Sequence, residues 1–189
     1  MTREDSQLID EVLGGDAQAF NELVRKYQNR LYNTLVHVSG DRDAAEDLMQ
    51  DAFVQAFVML KTFKGNSAFY TWLYRIAFNL YISRKRRQRK EFSIEQGRVI
   101  SGTEPMDDGE MPDDRLMRAE QVEQVHVALG TLSDEHRSIL VLREIEGCCY
   151  ETIAEILELP GGTVRSRLHR ARKLLRDQLH EMLQENPIE

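Results

Sequence analysis

The residues best placed to do chemistry in this chain are cations on a periodic scaffold. Between Arg165 and Arg176 the sequence reads RSRLHRARKLLR, six Lys or Arg and one His with no acid. Val164, Leu168 and Leu175 fall at helical spacing and hold one side to a core, which turns Arg165, Ser166, His169, Arg170 and Lys173 outward. Such a face suits a major groove. Arginine pairs bidentately with guanine, serine meets phosphate or base, and the helix N-terminus near Thr163 favours phosphate.

The preceding residues complete a helix-turn-helix spacing. In YETIAEILELPGGTVRSRLHRARKLL, Ile153 and Leu157 face inward on a first helix and Leu159 plugs the turn. Ala154 is small where two helices must approach closely, and Thr163 can cap or begin the second helix. Many such turns carry Gly at the position of Glu158, where φ tends to be positive, so Glu158 brings some strain.

A second constellation runs from Phe63 to Lys90, FKGNSAFYTWLYRIAFNLYISRKRRQRK. Lys64, Asn66 and Ser67 form a polar turn. Phe63, Phe69, Tyr70, Trp72, Tyr74, Phe78 and Tyr81 then mix with Arg75 and Asn79. Arg84, Lys85, Arg86 and Arg87 open a run of six bases in seven residues. Aromatics interleaved with cations suit single-stranded DNA: rings stack on or pocket exposed bases, and cations follow the backbone. Trp72, Ile76 and Leu80 lie four apart, so some of this block also belongs to a core. A third stretch, DAAEDLMQDAFVQAF from Asp43 to Phe57, has one apolar face and one that shows Asp43, Glu46, Asp47 and Gln50. Taken alone it is an amphipathic helix with a solvated acidic side.

These stretches need helices to position them, and the pattern supplies helices almost throughout. The first is expected over Ser6–Leu13, ended by Gly14 and Gly15. Asp16 caps a second from Ala17 to about Val38, with Phe20, Leu23, Val24, Tyr27, Leu31 and Leu35 at helical spacing. Asp41 or Asp43 caps a third, in which Ala44, Leu48, Ala52, Ala56 and Leu60 recur every four residues. A fourth starts near Ala68 and carries the aromatic block into the basic run. Residues 91–115, rich in Gly, Pro, Ser and acids, read as a flexible acidic linker. Helices resume with Leu116–Leu129, a helix capped by Ser133 and ended by Gly147, then Tyr150–Leu157, and a long one from about Gly162 to Leu183. The expectation is an all-α chain with two small domains, 1–90 and 116–185.

Composition bounds the rest. The chain has 189 residues, 41% apolar and 30% charged, which allows one medium domain or two small ones. The net charge of −7 argues against nucleic acid in sum, but the cations and acids are segregated along the chain. No run of eighteen apolar residues predicts a membrane span, and MTREDSQLID lacks the apolar core of a secretory leader. Cys148 and Cys149 are adjacent and read as reduced cytosolic thiols, with no zinc-ligand spacing. No P-loop, GxSxG or HExxH is present, and His37, His126, His136, His169 and His180 lie scattered without paired acids. No catalysis, cofactor, metal or small-molecule substrate is expected.

Together, GDAQAFNELVRKYQNRLYN, DAAEDLMQDAFVQAF, FKGNSAFYTWLYRIAFNLYISRKRR and TLSDEHRSILVLREIEGCCYETIAEILELPGGTVRSRLHRARKLL resemble the sigma-70 family, in particular its two-domain extracytoplasmic-function group. The resemblance covers nearly everything outside the linker and the two ends. It implies a sigma-2-like bundle and a sigma-4-like helix-turn-helix domain, without the bridging domain of larger sigma factors. It implies that Asp43, Glu46, Asp47 and Gln50 face the polymerase β′ coiled coil, with Asp47 and Gln50 in the family's DLxQ pattern.

The resemblance further gives the second constellation a target, unpaired non-template bases of the −10 element. The residues concerned are Lys64, Asn66, Ser67, Phe69, Tyr70, Trp72, Arg75, Asn79, Arg84, Lys85, Arg86 and Arg87. It places Thr163, Arg165, Ser166, His169, Arg170 and Lys173 at the −35 element, and the helix around Ser133–Glu144 at the polymerase β flap. Core RNA polymerase, promoter DNA and an anti-sigma factor, often membrane-anchored in the family, are the implied partners. The implied location is the bacterial cytoplasm. The linker, fully extended, reaches roughly 95 Å, enough for two turns of duplex at about 34 Å each. A stand-alone helix-turn-helix regulator is the nearest rival; it leaves the aromatic-basic block and the acidic helix without a task.

Overall fold

The structure, a computed structural model, describes residues 4–94 and 124–185. Every regular element among them is helical, as the all-α expectation requires. The order is α1 (Asp5–Leu13), α2 (Gln18–Ser39), α3 (Arg42–Met59), a 3₁₀ turn (Leu60–Thr62), α4 (Phe69–Ile94), α5 (residues 124–131), α6 (Asp134–Leu140), a π-helical turn (Val141–Ile145), α7 (Tyr150–Leu157) and α8 (Gly161–Glu185). Helices α1–α4 belong to one compact unit; residues 124–153 and α8 belong to a second. α4 runs four residues into the stretch read as linker. The rest of that stretch, and residues 116–123 of the expected Leu116–Leu129 helix, lie outside the described residues.

In the first unit α1 packs on α2, α2 on α3, and α3 on α4. Asp5 fastens α1 to α2: its carboxylate accepts from Lys26 Nζ at 2.6 Å and from the Tyr27 hydroxyl at 2.5 Å. The bond to Asp5 holds the Lys26 ammonium above its usual pKa, and burial raises that of the Tyr27 phenol. Asp16, expected to cap α2, accepts from the Gln18 amide at 3.0 Å, but the helix begins one residue later, with Ala17 in the cap position. Gly40 ends α2 with φ of 72°, a left-handed conformation in which a side chain would clash with the backbone. Of the two candidate caps of α3, Asp41 is the one used, accepting from the Ala44 amide at 3.0 Å. Leu23, Leu31, Leu35, Leu48, Ala52, Ala56 and Leu60 are fully buried. Each buried leucine contributes about 1.5–3 kcal/mol. The four-residue recurrence in α3 starts one residue late: Ala45 is buried and Ala44 is half-exposed.

In the second unit Ser133 caps α6 as expected, its hydroxyl accepting from the His136 amide. Asp134 and Glu135 in the first turn complement the helix dipole. The helix then departs from the expected plain α-form. Arg137 through Leu142 are six consecutive buried residues, and Val141–Ile145 widens into a π turn closed by the Glu146 amide on the Val141 carbonyl at 3.0 Å. Ile139, Leu140 and Leu142, the apolar side at helical spacing, are buried, and Arg137, Ser138 and Val141 between them are buried as well. Arg137 is buried because its guanidinium donates to the carbonyls of Gly130 and Leu132, at 2.9 and 3.1 Å, tying down the end of α5. α6 packs against α8.

Candidate nucleic-acid and polymerase interfaces

On α8 the apolar and polar sides separate as the spacing requires. Val164, Leu168 and Ala171 are buried; Arg165, Ser166, His169, Arg170 and Lys173 are exposed. Leu175 is half-buried. Thr163 sits in the first turn, half-buried, with its amide on the Pro160 carbonyl at 2.8 Å and its own carbonyl receiving the Ser166 hydroxyl at 3.1 Å. The cations are then sorted by direction. Arg167 pairs with Glu135 at 3.0 Å and Arg172 with Glu144 at 2.7 Å, both toward the domain's own surface. Arg165, Arg170, Lys173 and Arg176 have no acidic partner among the described residues. Charge neutralised inside the domain leaves a cleaner positive face outside it. Ahead of α8, Glu158 has φ of +53°, the left-handed turn position that more often carries Gly.

The −10-type residues of the first unit are spread between surface and core. Lys64, Asn66, Asn79, Arg86 and Arg87 are exposed; Ser67, Trp72, Arg75, Arg84 and Lys85 are half-buried. Gly65, with φ of +69°, lets the Lys64–Ser67 turn reverse tightly. Phe69 and Tyr70, expected among the DNA-facing rings, are only 2% and 7% exposed. The reason is packing. The Tyr27 ring lies 5.7 Å from Phe69 and 5.5 Å from Tyr70, and the Tyr70 hydroxyl meets Thr34 Oγ1 at 3.2 Å. Tyr74, Phe78 and Tyr81 are buried as well. What remains partly exposed is Phe63 and Trp72, their rings 5.2 Å apart, with Phe69 5.8 Å from Trp72 beneath them. No pattern in sequence points to Arg30, whose guanidinium lies 4.0 Å over the Tyr70 ring although the two are forty residues apart.

The acidic side of α3 is exposed at Asp43, Glu46, Asp47 and Gln50, with Gln50 Nε2 donating to Glu46 at 3.3 Å. Toward the C-terminus of α3 the same side turns apolar: Val54 is 65% and Val58 73% exposed, beside a partly exposed Phe57 whose ring meets Phe20 at 5.1 Å. Exposed apolar side chains grouped on one helix are characteristic of protein-contact surfaces. The division of this helix into one apolar and one acidic face did not single them out, because they continue the acidic face with apolar side chains.

Comparison with known proteins follows the same division. Residues 23–91 match the family model described as sigma-70 region 2, and residues 122–175 match sigma-70 region 4. The RNA polymerase sigma-H factor of Pseudomonas aeruginosa is 39% identical over 187 residues, covering 96% of this chain and 97% of that one. The ECF RNA polymerase sigma factor SigW of Bacillus subtilis is 35% identical over 181 residues, covering 92% and 96%. Among solved structures, the sigma factor RpoE in complex with the anti-sigma factor NepR, from Bartonella quintana, superposes with a TM-score of 0.72 at 26% identity, covering 87% of this chain and 98% of that one. CnrH in complex with the cytosolic domain of CnrY gives 0.65 at 25% identity, covering 94% and 97%.

Proposed function

From the premise that this chain belongs to the extracytoplasmic-function group of sigma-70 RNA polymerase sigma factors, we propose a division of labour for an alternative sigma factor in which α3 docks on core polymerase, α4 and the turn before it take the −10 element, and α8 takes the −35 element. The observation that carries this reading is the sorting of cations on α8. Acids of its own domain hold Arg167 and Arg172 at the two edges of the buried strip, and Arg165, Ser166, His169, Arg170 and Lys173 stay exposed between them.

The mechanism is binding energetics. Core polymerase fixes both units, so two modest DNA contacts act as one bivalent grip. Duplex opening loses stacking, offset where an unpaired base lies against Trp72 and hydrogen-bonds Asn66 or Asn79, with Lys64, Ser67, Arg75, Lys85, Arg86 and Arg87 along the backbone. Phe69 and Tyr70 support this surface from beneath. The docking side of α3 comprises Asp43, Glu46, Asp47 and Gln50 and extends to Val54 and Val58, acids giving orientation and valines giving contact area. The α6 region takes the polymerase β flap.

An anti-sigma protein is the proposed regulator, supported by the complexes in which the two solved relatives were found. The proposed location is the cytoplasm; no helix of the described residues is long and apolar enough to cross a membrane. The chain acts through binding and performs no catalysis of its own.

Run-off transcription with purified core polymerase on a library of promoter fragments tests the reading. Discrete transcripts that require this chain are expected. Tight duplex binding without polymerase, with no transcript in its presence, would identify a stand-alone regulator instead.

A further inference from the structure

We infer that Arg84 is a positioning residue for polymerase docking and not a phosphate contact. Its guanidinium reaches across from α4 to α3, with Nη2 2.5 Å from Asp51 Oδ2 and Nη1 3.7 Å from Asp47 Oδ2. The basic run that opens at Arg84 is thereby divided. Lys85 leans over the Tyr81 ring at 5.8 Å, and Arg86 and Arg87 are exposed with no acidic partner among the described residues. Arg84 alone of these four turns to carboxylates.

Asp47 and Asp51 stand one helical turn apart on the same side of α3, where two like charges repel. A guanidinium between them removes that repulsion and limits the rotamers of Asp47. The Asp47 side chain stays 70% exposed, so a docking partner still has access to it. A carboxylate held ready loses less freedom when a donor on the polymerase engages it. The inference rests on the reading of α3 as the docking helix, and it adds two residues to that site: Asp51 as the anchor and Arg84 as the clamp. It also links the docking helix to the helix that carries the −10 surface by a contact made of charge.

The test measures two quantities on the full-length chain: affinity for purified core polymerase, and the salt dependence with which the holoenzyme binds a 20-nucleotide single-stranded DNA of mixed sequence. Arg84→Gln is expected to weaken core binding by roughly 2- to 10-fold, the range for freeing one ordered side chain. Arg84→Lys restores part of the loss, and the salt slope stays unchanged. Arg84→Gln combined with Asp51→Asn loses little more than either alone. A phosphate contact gives the converse, unchanged core affinity with the slope reduced by about one, and overturns the inference. So do additive losses in the double variant, or parallel losses of both affinities that follow a lowered melting temperature. If the wild-type chain fails to bind core polymerase at all, the docking reading of α3 has failed before Arg84 is reached.

Discussion

The two units build their interiors from different materials. The first packs its interior with rings: Phe20, Phe53, Phe69, Tyr70, Tyr74, Phe78 and Tyr81 are all buried. Among the described residues of the second, the buried apolar side chains are Leu, Ile, Val and Ala. In α8 the residues that pack and the residues that face outward are therefore of different chemical types. In α4 one type does both jobs. Aromatics can pack a core and can stack on bases, so the composition of α4 does not say which ring does which.

The largest test of this contrast is Phe69→Ala. As a core ring it should lower the stability of the first unit by about 3–5 kcal/mol, seen in chemical denaturation, and reduce every activity together. A Phe69→Ala protein of unchanged stability that fails only on duplex promoters, and works on templates already open at the −10 element, would return the ring to the DNA surface.

In the second unit the outward side can be divided further. Arg165→Ala in the holoenzyme is expected to cost about 1–3 kcal/mol and relax preference at one or two −35 positions. Lys173→Ala should weaken all sequences alike and lower the salt slope by about one. Promoter-library transcription and a salt titration separate the two, and an intact −35 preference in Arg165→Ala makes that arginine a phosphate clamp. The smallest effect concerns the turn between α7 and α8. Glu158→Gly should raise stability by about 0.5–1 kcal/mol, because a left-handed residue with a Cβ costs roughly 1–2 kcal/mol and glycine loses part of that gain to entropy. No gain in melting temperature would mean that the Glu158 side chain compensates for its own backbone.

The same contrast explains what could be read in advance. Helix positions, the cap Ser133, the strained turn at Glu158 and the outward side of α8 were legible, because each has a local cause within four residues. Phe69 and Tyr70 were placed at the DNA surface because their burial depends on Tyr27 and Thr34, a helix away. Arg172 stands in the run of cations on α8, and only Glu144, twenty-eight residues distant, takes it out of that run. The π turn after Leu140 left no trace either, since it widens an otherwise continuous helix without any turn residue to mark it. Arg84 stood in a run of cations, and only the approach of α3 singles it out.

The order of packing in the first unit bears on how the chain is made. Each helix from α1 to α4 rests on the one synthesised just before it. Contacts between neighbours in sequence close short loops, and domains built this way fold in microseconds to milliseconds. Elongation at about 5–20 residues per second leaves several seconds between the appearance of α4 and the completion of α8. The first unit therefore has time to reach its native packing on the ribosome and need not wait for the second. A nascent chain stalled after α4 already carries the acidic and apolar side of α3, the docking side proposed above, before α8 exists.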